Sequence, residues 1–97
     1  MSEADARPAT SLPSAAQLEQ RLVERLAPSQ LQVIDESAAH AGHSGAGDAG
    51  HGTHFRVRIA SPLFTPLSRV ARHRLVYDAL QDFVAAGVHA LAIDILP

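Results

Sequence analysis

The chain has 97 residues, 46% hydrophobic and 19% charged, with a formal net charge of -2 and no cysteine. A chain of this size buries roughly 60 to 65% of its unfolded surface, enough for one small core, and without thiols it can build neither a disulfide framework nor a soft metal centre of its own. No apolar run reaches membrane-spanning length and no leader pattern opens the chain, so the sequence reads as a soluble cytoplasmic domain with no general attraction to nucleic acid.

Residues 1–12 are polar or alanine-rich and aperiodic, which predicts a disordered tail ahead of a domain over 13–97. Ser14 with Gln17 three residues on forms a capping-box signature, and Ala15, Leu18, Leu22 and Leu26 make the apolar stripe of a first helix that Pro28 stops. Leu31 to Glu36 reads as a first strand. Residues 37–52 are small and glycine-rich, longer than an ordinary hairpin loop, and contain His40, His43 and His51. Thr53 to Ala60 alternates cleanly, with Phe55, Val57 and Ile59 on the core face and His54, Arg56 and Arg58 on the wet one. Two prolines between Ser61 and Leu67 leave room for a short helical turn around Leu63 and Phe64. Ser68 then caps a long helix that runs to Gly87, with Leu75, Val76, Ala79, Leu80, Phe83 and Ala86 inward and Arg74, Tyr77, Asp78 and Gln81 outward. Val88 to Leu96 is a buried closing strand, and His89 opens it.

This order predicts an α+β (α/β) domain with a mixed three-stranded sheet. The first two strands pair antiparallel, and the second and third pair parallel through a right-handed helical crossover. The start of the third strand then lies at the glycine-loop end of the sheet, so that His89, His54 and the loop histidines converge. Singly, such histidines are surface or hydrogen-bonded core residues; together they are candidate metal ligands, although no HExxH or helical HxxxH spacing pre-arranges a zinc site.

Catalytic readings have less to stand on. There is no cysteine nucleophile, no GxSxG elbow and, in a chain without lysine, no phosphate-binding GxxxxGK loop. The GxGxxG string at Gly45, Gly47 and Gly50 leads into a strand and opens no helix, so it reads as loop flexibility. Asp35 and Glu36, neighbours on a strand, read as a solvated strand end, and the chain is expected to be no enzyme. The acid-free span from Thr53 to Tyr77 carries Arg56, Arg58, Arg69, Arg72 and Arg74, either as solvated faces or as a phosphate site, with Arg72 snorkelling past the core edge.

Four blocks in order, DESAAH from Asp35, THFRVRIAS from Thr53, RHRLVYDAL from Arg72 and VHALAI from Val88, resemble the BolA family, in its branch with histidine in the variable loop. The resemblance runs from about Gln17 to Ile95 and implies a helix-strand-strand-helix-helix-strand domain similar to the type II KH fold. It further implies an adaptor that pairs with a monothiol glutaredoxin and shares a 2Fe-2S cluster with it and with glutathione, in iron-sulfur trafficking or iron and redox regulation. His40 and His89 match the family's ligand positions, with His43, His51 and His54 as alternatives, and His73 falls to helix-start structure or the partner surface. The family's other association, transcription regulation through DNA, would use Arg56, Arg58, Arg69, Arg72 and Arg74 without a GxxG clamp. A weak homodimer is compatible with both readings.

Overall fold

A computed structural model describes residues 12–37 and 52–97. His40, His43 and His51 lie outside the described residues. Helix α1 (Ala15–Leu26) begins at Ser14, whose hydroxyl accepts from the Gln17 amide while the Gln17 side chain accepts from the Ser14 amide, the reciprocal cap expected. It ends at Leu26, two residues before Pro28, and Ala27 turns into the left-handed region at φ 45°. Strand β1 (Gln30–Asp35) starts and stops one residue earlier than the sequence reading, and β2 (His54–Ala60) starts one residue later. The short turn is a 3-10 helix over Pro62–Phe64, capped by the Ser61 hydroxyl.

The long helix of the sequence reading is two helices, and this is the main correction to the fold. Helix α2 (Arg69–Ala79) breaks at Leu80, which leaves the helical region at φ -111° and ψ 8°, and a separate helix α3 (Gln81–Ala85) follows. The Phe83 amide bonds back three residues to the Leu80 carbonyl and so skips Ala79. The Ala79 carbonyl accepts instead from Arg21 Nη1 at 2.9 Å, on α1. Leu80 is fully buried at the break, whereas Ala86, expected inward on a continuous helix, is exposed.

Strand β3 (Ala90–Ile95) completes a sheet of order β1-β2-β3, antiparallel then parallel as expected from the loop and the helical crossover. Its register places Val33 beside Val57 and Val57 beside Ile93, so one face gathers Leu31, Phe55, Ile59, Leu91 and Ile95 as well. That face packs on Leu18, Leu22 and Leu26 of α1, Val76 of α2, and Leu80. Burial of these side chains, each worth roughly 1.5 to 3 kcal/mol, is the main favourable contribution to the fold. Among the described residues, no helix is long and apolar enough to cross a membrane.

The opposite face of the sheet carries charge. Arg56 donates from Nε to Glu36 at 3.0 Å and from Nη1 to Asp94 at 3.2 Å, and Arg58 lies 4.0 Å from Asp94. The hydrogen bond to Glu36, then that to Asp94, holds the Arg56 guanidinium more firmly protonated than usual.

Candidate functional site

At the end of the sheet where β1 stops and both β2 and β3 start, the chain places a pair of imidazoles over a hydrogen-bonded base. Asp35 is not the solvated strand end of the sequence reading. It is half-buried, and its carboxylate accepts from the Ser37 amide at 2.9 Å and from the Gly52 amide at 3.0 Å. One side chain thereby ties together the two ends of the 38–51 segment. Glu36 likewise is engaged, by Arg56.

Ser37 works beside it. Fully buried, its hydroxyl oxygen accepts from the Thr53 and His54 amides, both at 2.9 Å, and donates to the His54 carbonyl at 3.4 Å. The Thr53 carbonyl in turn accepts from the His89 amide at 2.7 Å and the Ala90 amide at 3.1 Å. The starts of β2 and β3 are therefore fixed to each other by main-chain bonds at the positions that carry the two histidines.

Their rings lie with centroids 6.2 Å apart and planes tilted by 40°. His89 is exposed, and His54 is half-buried with Nδ1 3.0 Å from the Thr53 hydroxyl. The convergence of His54 and His89 expected from the crossover is thus present. Among the described residues, no third histidine, cysteine or carboxylate joins them in a metal-binding group. The pair offers nitrogen donors only.

Glycine is required at both flanks. Gly52 has φ +80°, and a Cβ there would meet the Leu12 Cβ at 2.5 Å and the Pro13 carbonyl at 2.9 Å; at Gly87, φ +133°, it would meet Leu12 Cδ2 at 2.7 Å. Leu12, assigned to the tail by its sequence, instead packs across the entrances to β2 and β3.

The remaining candidates are elsewhere. His73 sits on α2, with Nδ1 3.2 Å from the Arg69 carbonyl and Nε2 3.2 Å from the Ile93 carbonyl, so it links the helix to β3 and does not approach the His54–His89 pair. The five arginines divide. Arg56 and Arg58 lie on the open sheet face beside Glu36 and Asp94, whereas Arg69 and Arg74 are exposed on α2 and Arg72 turns its Nε to the Leu67 carbonyl at 3.0 Å. The acid-free stretch of sequence is therefore not one basic face. Sequence reasoning missed Ser37, Asp35 and Thr53 as supports of the site; the one available signal was DES at the point where a strand meets a glycine-rich segment.

A family model described as BolA-like protein matches residues 22–97. An uncharacterized protein in the cobS 5' region of a Sinorhizobium species is 46% identical over 77 residues, 79% of this chain and 83% of that protein. SufE-like protein 1 of Arabidopsis thaliana is 48% identical over 80 residues, 78% of this chain, and the match spans only 21% of that longer protein. The solved structure of BolA1 from Arabidopsis thaliana superposes with a TM-score of 0.74 at 38% identity, covering 88% of this chain and 92% of the other.

Proposed function

The chain belongs to the BolA-like family, and from that premise we propose that it is a non-catalytic adaptor that pairs with a monothiol glutaredoxin and shares a 2Fe-2S cluster with it and with glutathione. The observation that carries this reading is the His54–His89 pair at the end of the sheet where Asp35 closes the base of the histidine-bearing segment. The donor set fits. A chain with no cysteine can supply imidazole nitrogens to iron while thiolates come from another molecule, as in clusters of mixed histidine and cysteine ligation. When bound, such a cluster supplies one-electron redox chemistry and a transferable iron-sulfur unit. This chain's part is to present His89 from the rigid start of β3 and His40 from the loop, with His43, His51 and His54 as alternatives. The Thr53 carbonyl fixes the backbone that bears His89.

The test is anaerobic reconstitution with a monothiol glutaredoxin, glutathione, iron and sulfide. His89→Ala removes the histidine-ligated visible spectrum while far-UV circular dichroism is unchanged; a spectrum indifferent to that substitution overturns the assignment. His40→Ala perturbs the spectrum, His43→Ala and His51→Ala do not, and the His40/His43 double variant is worse than His40→Ala alone. Because a ligating imidazole must be neutral, the complex weakens as pH falls toward about 5.5. DNA binding, the second reading, draws on Arg69 and Arg74, since the Arg56 guanidinium is already held by two carboxylates.

A further inference from the structure

Helix α3 is held from outside itself. None of its five residues is buried, Phe83 and Val84 being half-buried, and Leu80 gives it no side-chain cap. Among the described residues, the side-chain hydrogen bonds that reach α3 from elsewhere come from Arg21 of α1, whose Nη1 and Nη2 meet the two Asp82 carboxylate oxygens at 2.6 and 2.9 Å. The same Nη1 donates to the Ala79 carbonyl at 2.9 Å, and the guanidinium carbon stands 4.6 Å from the Phe83 ring centroid. Arg21 lies in α1 between the fully buried Leu18 and Leu22, so the base of this clamp is anchored in the core.

The residues it grips also shape the approach to β3. The Asp82 and Phe83 carbonyls accept from the Ala86 amide at 3.0 and 3.1 Å, the Val84 carbonyl from the Gly87 amide at 3.2 Å, and the Phe83 carbonyl from the Val88 amide at 3.3 Å. His89 follows directly. The Thr53 carbonyl fixes its amide from the β2 side, while the turn built on α3 sets the direction from which the chain arrives.

We propose that Arg21 is a positioning residue for His89: by clamping Asp82, Phe83 and the Ala79 carbonyl it fixes α3, and with it the turn that presents the imidazole beside His54. The proposal rests on the cluster-sharing reading only for the use to which His89 is put. Shape is required as well as charge. A bidentate pair with a carboxylate, a bond to a carbonyl and a place over a ring call for the planar fork of arginine, whereas lysine offers a single point charge.

The experiment uses the full chain and compares the parent with Arg21→Lys, which keeps the charge and loses the fork, and with Asp82→Asn, which loses the ion pair and keeps the Ala79 bond. Hydrogen exchange is followed without metal, and visible spectra are taken after anaerobic reconstitution with a monothiol glutaredoxin, glutathione, iron and sulfide. In Arg21→Lys the Gly87, Val88 and His89 amides exchange about tenfold faster while the Ala92 and Asp94 amides keep the parent rate. The spectrum moves toward that of His89→Ala. Asp82→Asn does the same to a smaller extent. Unchanged exchange at residues 87–89 overturns the proposal, as does acceleration spread evenly over the sheet. So does a parent-like spectrum in Arg21→Lys where His89→Ala alters it. If His89→Ala itself leaves the spectrum unchanged, the cluster reading fails, and the exchange pattern alone decides whether Arg21 positions His89.

Discussion

Ser37 shows how much one small side chain can hold. Its hydroxyl accepts from the Thr53 amide in a buried bond and from the His54 amide in a half-buried one, and an unsatisfied buried donor costs about 1 to 3 kcal/mol. Ser37→Ala leaves both without that partner, so the expected loss is about 1 to 3 kcal/mol, read as a lower midpoint of urea unfolding with an unchanged slope. A neutral result would mean that the two amides find other acceptors. His89 is the contrasting case. It is exposed and its own side chain supports little of the fold, which is why His89→Ala isolates ligation from folding. Gly52 belongs with Ser37, because both its positive φ and the closeness of Leu12 and Pro13 exclude a side chain.

Among the elements, α3 depends on a residue far away in the chain. Arg21 of α1 reaches the Ala79 carbonyl at the helix break, lies with its guanidinium carbon 4.6 Å from the centroid of the Phe83 ring, and pairs with both oxygens of Asp82. Its hydrogen bond holds the Asp82 carboxyl below the ordinary range of about 3.9. A depressed carboxyl contributes stability above its unfolded value and loses it as pH falls through the folded one. Asp82→Asn is therefore less stable than the parent at pH 7, and the gap closes below the ordinary carboxylate range. Asp82 is 63% exposed, so the gap is within about 1 kcal/mol. A gap that widened toward acid would contradict the pairing. Arg21→Ala costs more, about 1 to 2 kcal/mol by thermal or urea unfolding, because it also leaves the Ala79 carbonyl without its donor.

The same helix marks where the sequence stopped being legible. The capping box at Ser14, the alternation in β2 and the left-handed Gly87 are local patterns, and each was readable from a few neighbouring residues. The break at Leu80 follows no local punctuation, and the Ala79 carbonyl beside it is met by a guanidinium supplied from α1. The pairings of Arg56 are equally non-local, since its partners are Glu36, just after β1, and Asp94, near the end of β3. His54 and His89 could be brought together in advance because a parallel crossover returns the chain to the same end of the sheet, which is a matter of connection and not of side-chain contact.

At the scale of the whole molecule, β1 and β3 each pair with β2 and not with each other, so the two sides of the candidate site are joined through the start of the central strand. Thr53 is the junction: its N–H donates to the Ser37 hydroxyl just after β1, and its C=O accepts from the His89 and Ala90 amides at the start of β3. Loosening one side should then be felt on the other. Amide hydrogen exchange reads such local opening directly, since each protected amide reports the free energy of the motion that exposes it. In Ser37→Ala, the His89 and Ala90 amides should exchange faster by more than the Ala92 and Asp94 amides further along β3, although Ser37 bonds to neither. Leu12, wedged against Gly52 and Gly87 at the same entrances, gives an independent handle: Leu12→Ala should produce the same local pattern with Ser37 intact. Uniform acceleration over the whole sheet in both variants would show only global destabilisation, and the entrances to β2 and β3 would not be a cooperative unit. Acceleration confined to Thr53, His54, His89 and Ala90 would show that the position of the proposed iron ligand is set jointly by the β1–β2 base and the packed N-terminal residue.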